Sequence, residues 1–237
     1  TEYLIANRVL EKIWLKKKRQ KDIFLDCEGN EYYKRNKSNL HNPDGDKIIE
    51  SIRYLSLRPN KVLEIGCSNG WRLSCIHDSY KSECYGIDPS LNAIFDGRLK
   101  YPEITLLQGA ADSINFPNAS FDTVIIGFCL YLCDREDLFN IAKEVDRVLS
   151  NNGNLILYDF LTSTPISNQY EHCENIESYK MDYAKMFSWN PEYTSIYAIT
   201  GHHGGDAGYA SPDLRVGVNV LKKNKENAYL KNPYKKL

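Results

Sequence analysis

Three things are scarce in this chain: excess charge, long apolar runs, and the glycines of a dinucleotide-binding turn. Lys and Arg number 30 against 31 Asp and Glu, a formal net charge of −1 over 237 residues. That balance supplies no positive field for obligatory binding to a phosphate backbone, so nucleic acid is not an expected partner. The basic run Lys16-Lys17-Lys18-Arg19-Gln20-Lys21 is a local exception and reads as a solvated helix face. The longest apolar-leaning stretch, Val124 to Cys133, is too short to span a bilayer, and no membrane partner is expected. The opening TEYLIANRVLEK carries early charges and no long apolar core, so it is not read as a signal peptide; what precedes Thr1 is left open. The seven cysteines include no C-x-x-C pair. With their odd count this favours reduced thiols in a cytoplasmic protein, Cys67, Cys84 and Cys129 serving as small hydrophobes in or beside strands. No metal-ligand spacing occurs; His202-His203 alone does not make one.

What the chain does have is alternation. An apolar fraction of 42% is enough for the core of one domain. Residues 4–19 place Ala6, Val9, Leu10, Ile13 and Trp14 on one helical face. A polar stretch from Asn30 to Asp46 follows, with Asn42-Pro43-Asp44-Gly45 as a turn, and then a helix over Lys47 to Leu55. Short apolar runs bounded by Gly, Asn, Asp or Pro mark strands at Val62–Ile65, Cys84–Ile87, Ile104–Leu107, Thr123–Ile126 and Leu155–Tyr158. Before the last of these, Leu138, Ile141, Val145, Val148 and Leu149 form a helical stripe. Asp134 is the expected cap and Asn151-Asn152-Gly153 the expected stop. Strands and helices alternating at this pitch predict an α/β fold with a parallel sheet covered on both faces. Two further strands are expected at Thr194–Thr200 and Leu214–Leu221, joined by the long glycine-rich loop GHHGGDAGYASPD.

The first strand runs into KVLEIGCSNGW, residues 61–71. A dinucleotide fingerprint wants G-x-G-x-x-G, and Ser68 and Trp71 stand at its second and third glycine places. The turn therefore suits a ligand with an amine for the acid Glu64 and no pyrophosphate. Gly66 marks a close approach of backbone to ligand. The second strand ends at Asp88, where a carboxylate can accept both hydroxyls of a ribose. After the third strand, Gln108-Gly109-Ala110-Ala111-Asp112 offers small residues for a flat ring and an acid for its amine.

These three pieces and a fourth, Phe116-Pro117-Asn118-Ala119-Ser120-Phe121-Asp122 leading into the fourth strand, in this order over roughly residues 45–160, resemble the class I S-adenosylmethionine-dependent methyltransferases. The resemblance implies a doubly wound, Rossmann-like sheet of seven strands, mostly parallel with the last antiparallel, under a helical cap. It divides the chain into a cap (1–45), a cofactor-binding core (46–160), and a lid with a strand pair (161–237), all one domain. It implies that Glu64, Gly66, Ser68 and Gly70 line the methionine end of the S-adenosylmethionine cofactor. Asp88 would hold the ribose, Ala111 and Asp112 the adenine, and Gly127-Phe128 the edge beneath the sulfonium. Ser68 departs from the glycine usual there, and Ala110 from a polar residue. Tyr33 would close over the cofactor from the cap.

For the acceptor, the fourth strand ends in IIGFCLYL, without the Asn/Asp-Pro-Pro-aromatic or Pro-Cys motifs of nucleobase methylation. DIFLDCEGNEYYKRN (22–36), ESYKMDYAKMFSWNPEY (177–193) and SPDLRVGVNVLKK (211–223) resemble bacterial methyltransferases of surface-sugar and small-molecule biosynthesis. That similarity implies a polar small-molecule acceptor, such as a sugar, a sugar nucleotide or a polysaccharide precursor, methylated on oxygen. Methylation of a small-molecule nitrogen, or a non-catalytic cofactor-binding module or auxiliary subunit, are the alternatives. His202, His203 and Asp159 are the expected proton-handling groups at the acceptor rim, with at most one of the two histidines facing inward. The residues 1–45 and 161–193, lacking strand pattern, are expected to fold over the carboxyl edge of the sheet. The oligomeric state is left open.

Overall fold

The computed structural model describes residues 18–40, 43–203 and 211–226, with 228, 229, 231, 232 and 234 beyond them. The helical stripe in residues 4–19, Asn42 of the expected turn and the glycine-rich centre of the loop after His203 lie essentially outside the described residues. Each of the seven strand signals is a strand of one sheet. The strands are β1 (Lys61–Ile65), β2 (Glu83–Asp88), β3 (Thr105–Gln108), β4 (Phe121–Gly127) and β5 (Leu149–Phe160). They continue with β6 (Ile166–Gln169), β7 (Glu177–Lys180), β8 (Tyr193–His202) and β9 (Arg215–Lys223). The sheet order is β3-β2-β1-β4-β5-β9-β8, and β9 alone runs against its neighbours. The order reverses between β1 and β4, which opens a crevice beyond their carboxyl ends.

Both faces of the sheet are buried, and the two-residue period of a strand explains how. Leu63, Ile65, Val124, Ile126, Leu155 and Leu157 pack on one face. Val62, Ile125 and Ile156 pack on the other, with Val218 and Val220 of β9. The described helices are α1 (Gln20–Ile23), α2 (Gly29–Asn36), α3 (Lys47–Tyr54), α4 (Trp71–Tyr80), α5 (Leu91–Lys100), α6 (Leu138–Val148) and α7 (Lys185–Ser188). A π-helical stretch, Phe24–Glu28, joins α1 to α2, so the polar segment from Asn30 begins as helix. Asp46 caps α3 by accepting from the backbone N–H groups of Ile48 and Ile49 at 3.1 and 2.9 Å, a contact worth about 1 kcal/mol.

Three local expectations need correction. Asp134 does not cap α6. Its carboxylate accepts from the backbone N–H groups of Gln20 and Lys21 at 3.1 and 3.0 Å, and so caps α1, more than a hundred residues earlier in the chain. Nor does Asn151-Asn152-Gly153 end α6. The helix stops at Val148 with Leu149 already extended, and Asn152 takes its positive φ inside β5. The fully buried Lys223 supplies the stop instead, donating to the carbonyls of Asp146 and Leu149 at 2.7 and 3.2 Å. Lastly, residues 161–193 do contain strand: β6 and β7 form an antiparallel pair.

Candidate functional site

A cavity of about 620 Å³ lies over the carboxyl ends of β1, β2 and β4, where the strand order reverses. At one end its wall is mostly backbone. Gly66 has φ +74, and both its N–H and that of Cys67 donate to the carbonyl of Ile87, at 2.8 and 3.1 Å. A Cβ on Gly66 would meet that of Cys129 at 3.0 Å. The glycine is thus required by its left-handed backbone and by the loop after β4. Ser68 is also left-handed, φ +53, and its N–H donates to Asp88 Oδ2 at 2.8 Å. Ser90 N–H donates to Asp88 Oδ1 at 2.8 Å. Two backbone donors leave about half of that carboxylate's lone pairs free for a ligand's hydroxyls. Burial pushes the Asp88 carboxyl up to about 6, against the lowering effect of those two donors.

Behind the turn sits a charged trio. Glu64 is fully buried and paired with Arg72, which also binds Asp46 at 2.9 Å. Burial pushes Glu64 up to about 7, although the Arg72 charge opposes it. Its Oε2 is buried with no hydrogen-bond partner, a costly state for a carboxylate oxygen. Beyond β3, Asp112 faces the cavity and is held by Lys21 of α1 at 2.6 Å. Further ties fix α1 to the loop after β4. Arg19 pairs with Asp137, and the Gln20 amide donates to the carbonyl of Leu132 at 2.8 Å while accepting from Glu177 N–H at 2.7 Å.

The other end of the cavity is built of rings. Phe128 lies edge-on to Tyr158 (centroids 4.7 Å apart) and Phe160 (5.7 Å). Tyr131 meets Phe160 at 5.1 Å. Tyr32 of α2 brings its hydroxyl to 3.5 Å from that of Tyr131. Tyr170 closes this side, its hydroxyl accepting from Arg35 at 3.0 Å. His203, just past β8, is exposed at the mouth. One side of its ring packs against Phe128 (5.3 Å) and Phe160 (5.4 Å), and its backbone N–H is fixed on the carbonyl of Leu214. Burial against those rings, then the Lys180 charge and the neighbouring His202, lower its pKa below the usual 6.5.

The residues expected from sequence divide. Gly66, Ser68, Asp88, Asp112, Gly127, Phe128 and His203 line the cavity. The others do not. Glu64 stands behind Arg72, which takes its place in the wall. Gly70 is tucked under Ile104 and Leu106, and Ala111 packs into the core. Tyr33 turns away to donate to Asp96 at 2.5 Å, and the adjacent Tyr32 faces inward, one helical step round. His202 points off the cavity, as alternation along a strand requires of a neighbour, and its ring nitrogens are buried without partners. Asp159 is not at a rim. Its buried carboxylate accepts from the N–H groups of Leu130, Tyr131 and Phe160, so it shapes the turn that carries Tyr131. Sequence reading missed Arg72, Asp46, Lys21 and the rings of Tyr32, Tyr131, Tyr158 and Phe160. Only the Asp46 cap preceding an apolar-periodic run was there to be found.

A methyltransferase-domain family model matches residues 62–153, from within β1 to the irregular start of β5. The demethylmenaquinone methyltransferase of Lysinibacillus sphaericus (strain C3-41) is 30% identical over 113 residues, 45% of this chain and 47% of that protein. The chain spans about half the length of the curated relatives of this kind that it matches. Among solved structures, an S-adenosylmethionine-dependent methyltransferase from Methanosarcina mazei superposes with a TM-score of 0.59. It has 16% identity and covers 73% of this chain and 97% of its own. The Burkholderia thailandensis 1,6-didemethyltoxoflavin-N1-methyltransferase, solved with S-adenosylhomocysteine, superposes at 0.64 with 11% identity, covering 84% and 86%. With this sheet order, the chain has the fold of the class I S-adenosylmethionine-dependent methyltransferases, and its residues 62–153 match a methyltransferase domain. The cofactor of that class is S-adenosylmethionine, and the residues present in the wall fit it: the spare lone pairs of Asp88 and the left-handed Gly66. No helix among the described residues is long and apolar enough to cross a membrane, and no cluster among them could hold a metal.

Proposed function

We propose that the protein transfers a methyl group from S-adenosylmethionine to a small molecule, and that each end of the cavity takes one reactant. When bound, the cofactor supplies an electrophilic methyl carbon on a sulfonium. Asp88 accepts the two ribose hydroxyls, Asp112 faces the adenine amine, and Arg72, backed by Glu64, meets the methionine end. The protein's remaining work is to orient the acceptor, keep water away and hold a proton. Of the expected proton-handling groups, His203 is the one in the wall, and its lowered pKa keeps the imidazole neutral and able to accept a hydroxyl proton near pH 7. Asp159 acts through the turn it holds, and is a positioning residue.

The observation that carries this reading is the continuity of one cavity from Asp88 to His203. It also favours catalysis over a passive cofactor-binding module, which would need no second chamber. A sugar or sugar-nucleotide acceptor draws support only from the resemblance of the outer segments; the ring-rich chamber offers it few polar partners. The test has two arms. S-adenosylhomocysteine should raise the melting temperature and NAD should not. Isotope-labelled cofactor with a metabolite extract should then yield a labelled small-molecule product. A shift specific to NAD would overturn the cofactor assignment, and cofactor binding with no labelled product would favour the module.

A further inference from the structure

The chamber at the His203 end has a composition that selects a ligand class. Six rings, those of Phe128, Tyr131, Tyr158, Phe160, Tyr170 and Tyr32, line it. Such a chamber gains most by burying another flat apolar surface. The hydroxyls among those rings are neutral. Burial holds the Tyr131 hydroxyl far above its ordinary pKa, so the Tyr32–Tyr131 pair stays uncharged and can both donate and accept.

Charge is committed elsewhere. Among the described residues of the wall, the Lys and Arg side chains are Lys21, spent on Asp112, and Arg72, spent on Asp46 and Glu64. A phosphate or carboxylate drawn into this chamber would be desolvated without a counter-charge, which is strongly unfavourable. A cationic ligand is disfavoured for a different reason. The Lys180 ammonium lies 4.2 Å from the Phe160 ring centroid, outside the cavity lining, so that ring already carries one cation.

We infer that the methyl acceptor is an uncharged, planar ring compound with a hydroxyl or ring N–H. Its ring packs among Phe128, Tyr131 and Phe160, and its polar edge lies between His203 and the Tyr32–Tyr131 hydroxyls. This rests on the methyltransferase reading above and goes beyond it by excluding phosphorylated, sugar-nucleotide and cationic acceptors. The imidazole takes the proton that the acceptor's hydroxyl or N–H loses.

The test uses the full chain saturated with S-adenosylhomocysteine and titrated with four probes: 1-naphthol, 1-naphthyl phosphate, UDP-glucose and choline. 1-Naphthol should bind at least about tenfold more tightly than each of the others, because the phosphate adds only an unpaired charge to the same ring. Tyr131→Phe should weaken 1-naphthol by about fivefold and Phe160→Leu by more, both with S-adenosylhomocysteine affinity unchanged. Tyr131→Phe removes a single hydroxyl and covers the case in which the Phe160 variant does not fold. Tighter binding of the phosphate, UDP-glucose or choline would overturn the inference, as would 1-naphthol affinity indifferent to Tyr131→Phe. Those outcomes leave the cofactor site standing. Failure of S-adenosylhomocysteine itself to bind would instead remove the methyltransferase reading, and this inference with it.

Discussion

At the Asp88 end of the cavity the wall is made of backbone and short side chains, delivered by successive strand-to-helix turns within residues 66–112. At the His203 end it is made of large rings brought from α2, the turn after β4, the end of β5, the β6–β7 hairpin and the end of β8. The first end is fixed by hydrogen bonds a few residues or one strand apart, such as Ser68 to Asp88. The second is fixed by packing between elements that meet only in the finished fold. A chain can hold one end nearly constant through local geometry while the other is redrawn by changes in loops and caps. Different chemistry can thus follow from the same sheet.

Perturbing the two ends separately should sharpen that contrast. The largest effect is expected at the ring end. His203→Gln should cut turnover by about a hundredfold or more with S-adenosylhomocysteine affinity unchanged, if the acceptor loses a proton from oxygen. A parallel loss of cofactor affinity, measured by titration calorimetry, would mean that the two ends are not separable. At the other end, Asp88→Ala should weaken S-adenosylhomocysteine by about 1.5–3 kcal/mol, since two hydroxyls lose their acceptor. The wild-type site should also bind more tightly as pH rises. Burial holds the Asp88 carboxyl up at about 6 and that of Glu64, behind Arg72, at about 7, and a ligand that donates to Asp88 favours its ionised form. Stability of the free protein should run the other way. A carboxyl whose folded pKa is raised stabilises fully below its unfolded value, about 4, and loses that contribution as pH climbs through its folded value. Melting temperature measured from about pH 5 to pH 8 should therefore fall while affinity rises, and parallel slopes would refute the account.

The smallest effect concerns the seam between cap and core. Lys21→Ala removes a partly exposed ion pair worth about 0–1 kcal/mol, so stability should barely change. Asp112 is then left free for the adenine amine, and S-adenosylhomocysteine should bind a few times more tightly. A weaker complex would show instead that Lys21 itself contacts the cofactor.

The same contrast decides what could be read from the sequence. All seven sheet strands were legible, because strands buried on both faces are nearly continuous apolar runs between breakers. Gly66 and Asp88 were legible because each sits at a strand end whose next residues make the turn. Tyr32 was missed for Tyr33, since a helix in which both tyrosines are at least half-buried gives no sign of which faces a cavity and which reaches Asp96. Asp134 was read as the cap of the nearest helix because propensity is local, yet its partners are the N–H groups of Gln20 and Lys21. Asp159 shows the converse: a carboxyl at a strand end, suited to chemistry by position, is used up by three backbone donors.

The buried ammonium of Lys223 bears on how the chain matures during synthesis. α6 is translated some seventy residues before β9, and until β9 arrives the carbonyls of Asp146 and Leu149 lack the donor that closes the helix. β5 likewise has a bare edge over that interval, because its partner on that side is β9. A nascent chain halted between β5 and β9 would thus expose a strand template beside an unfinished helix, the stage at which this protein most needs protection from aggregation.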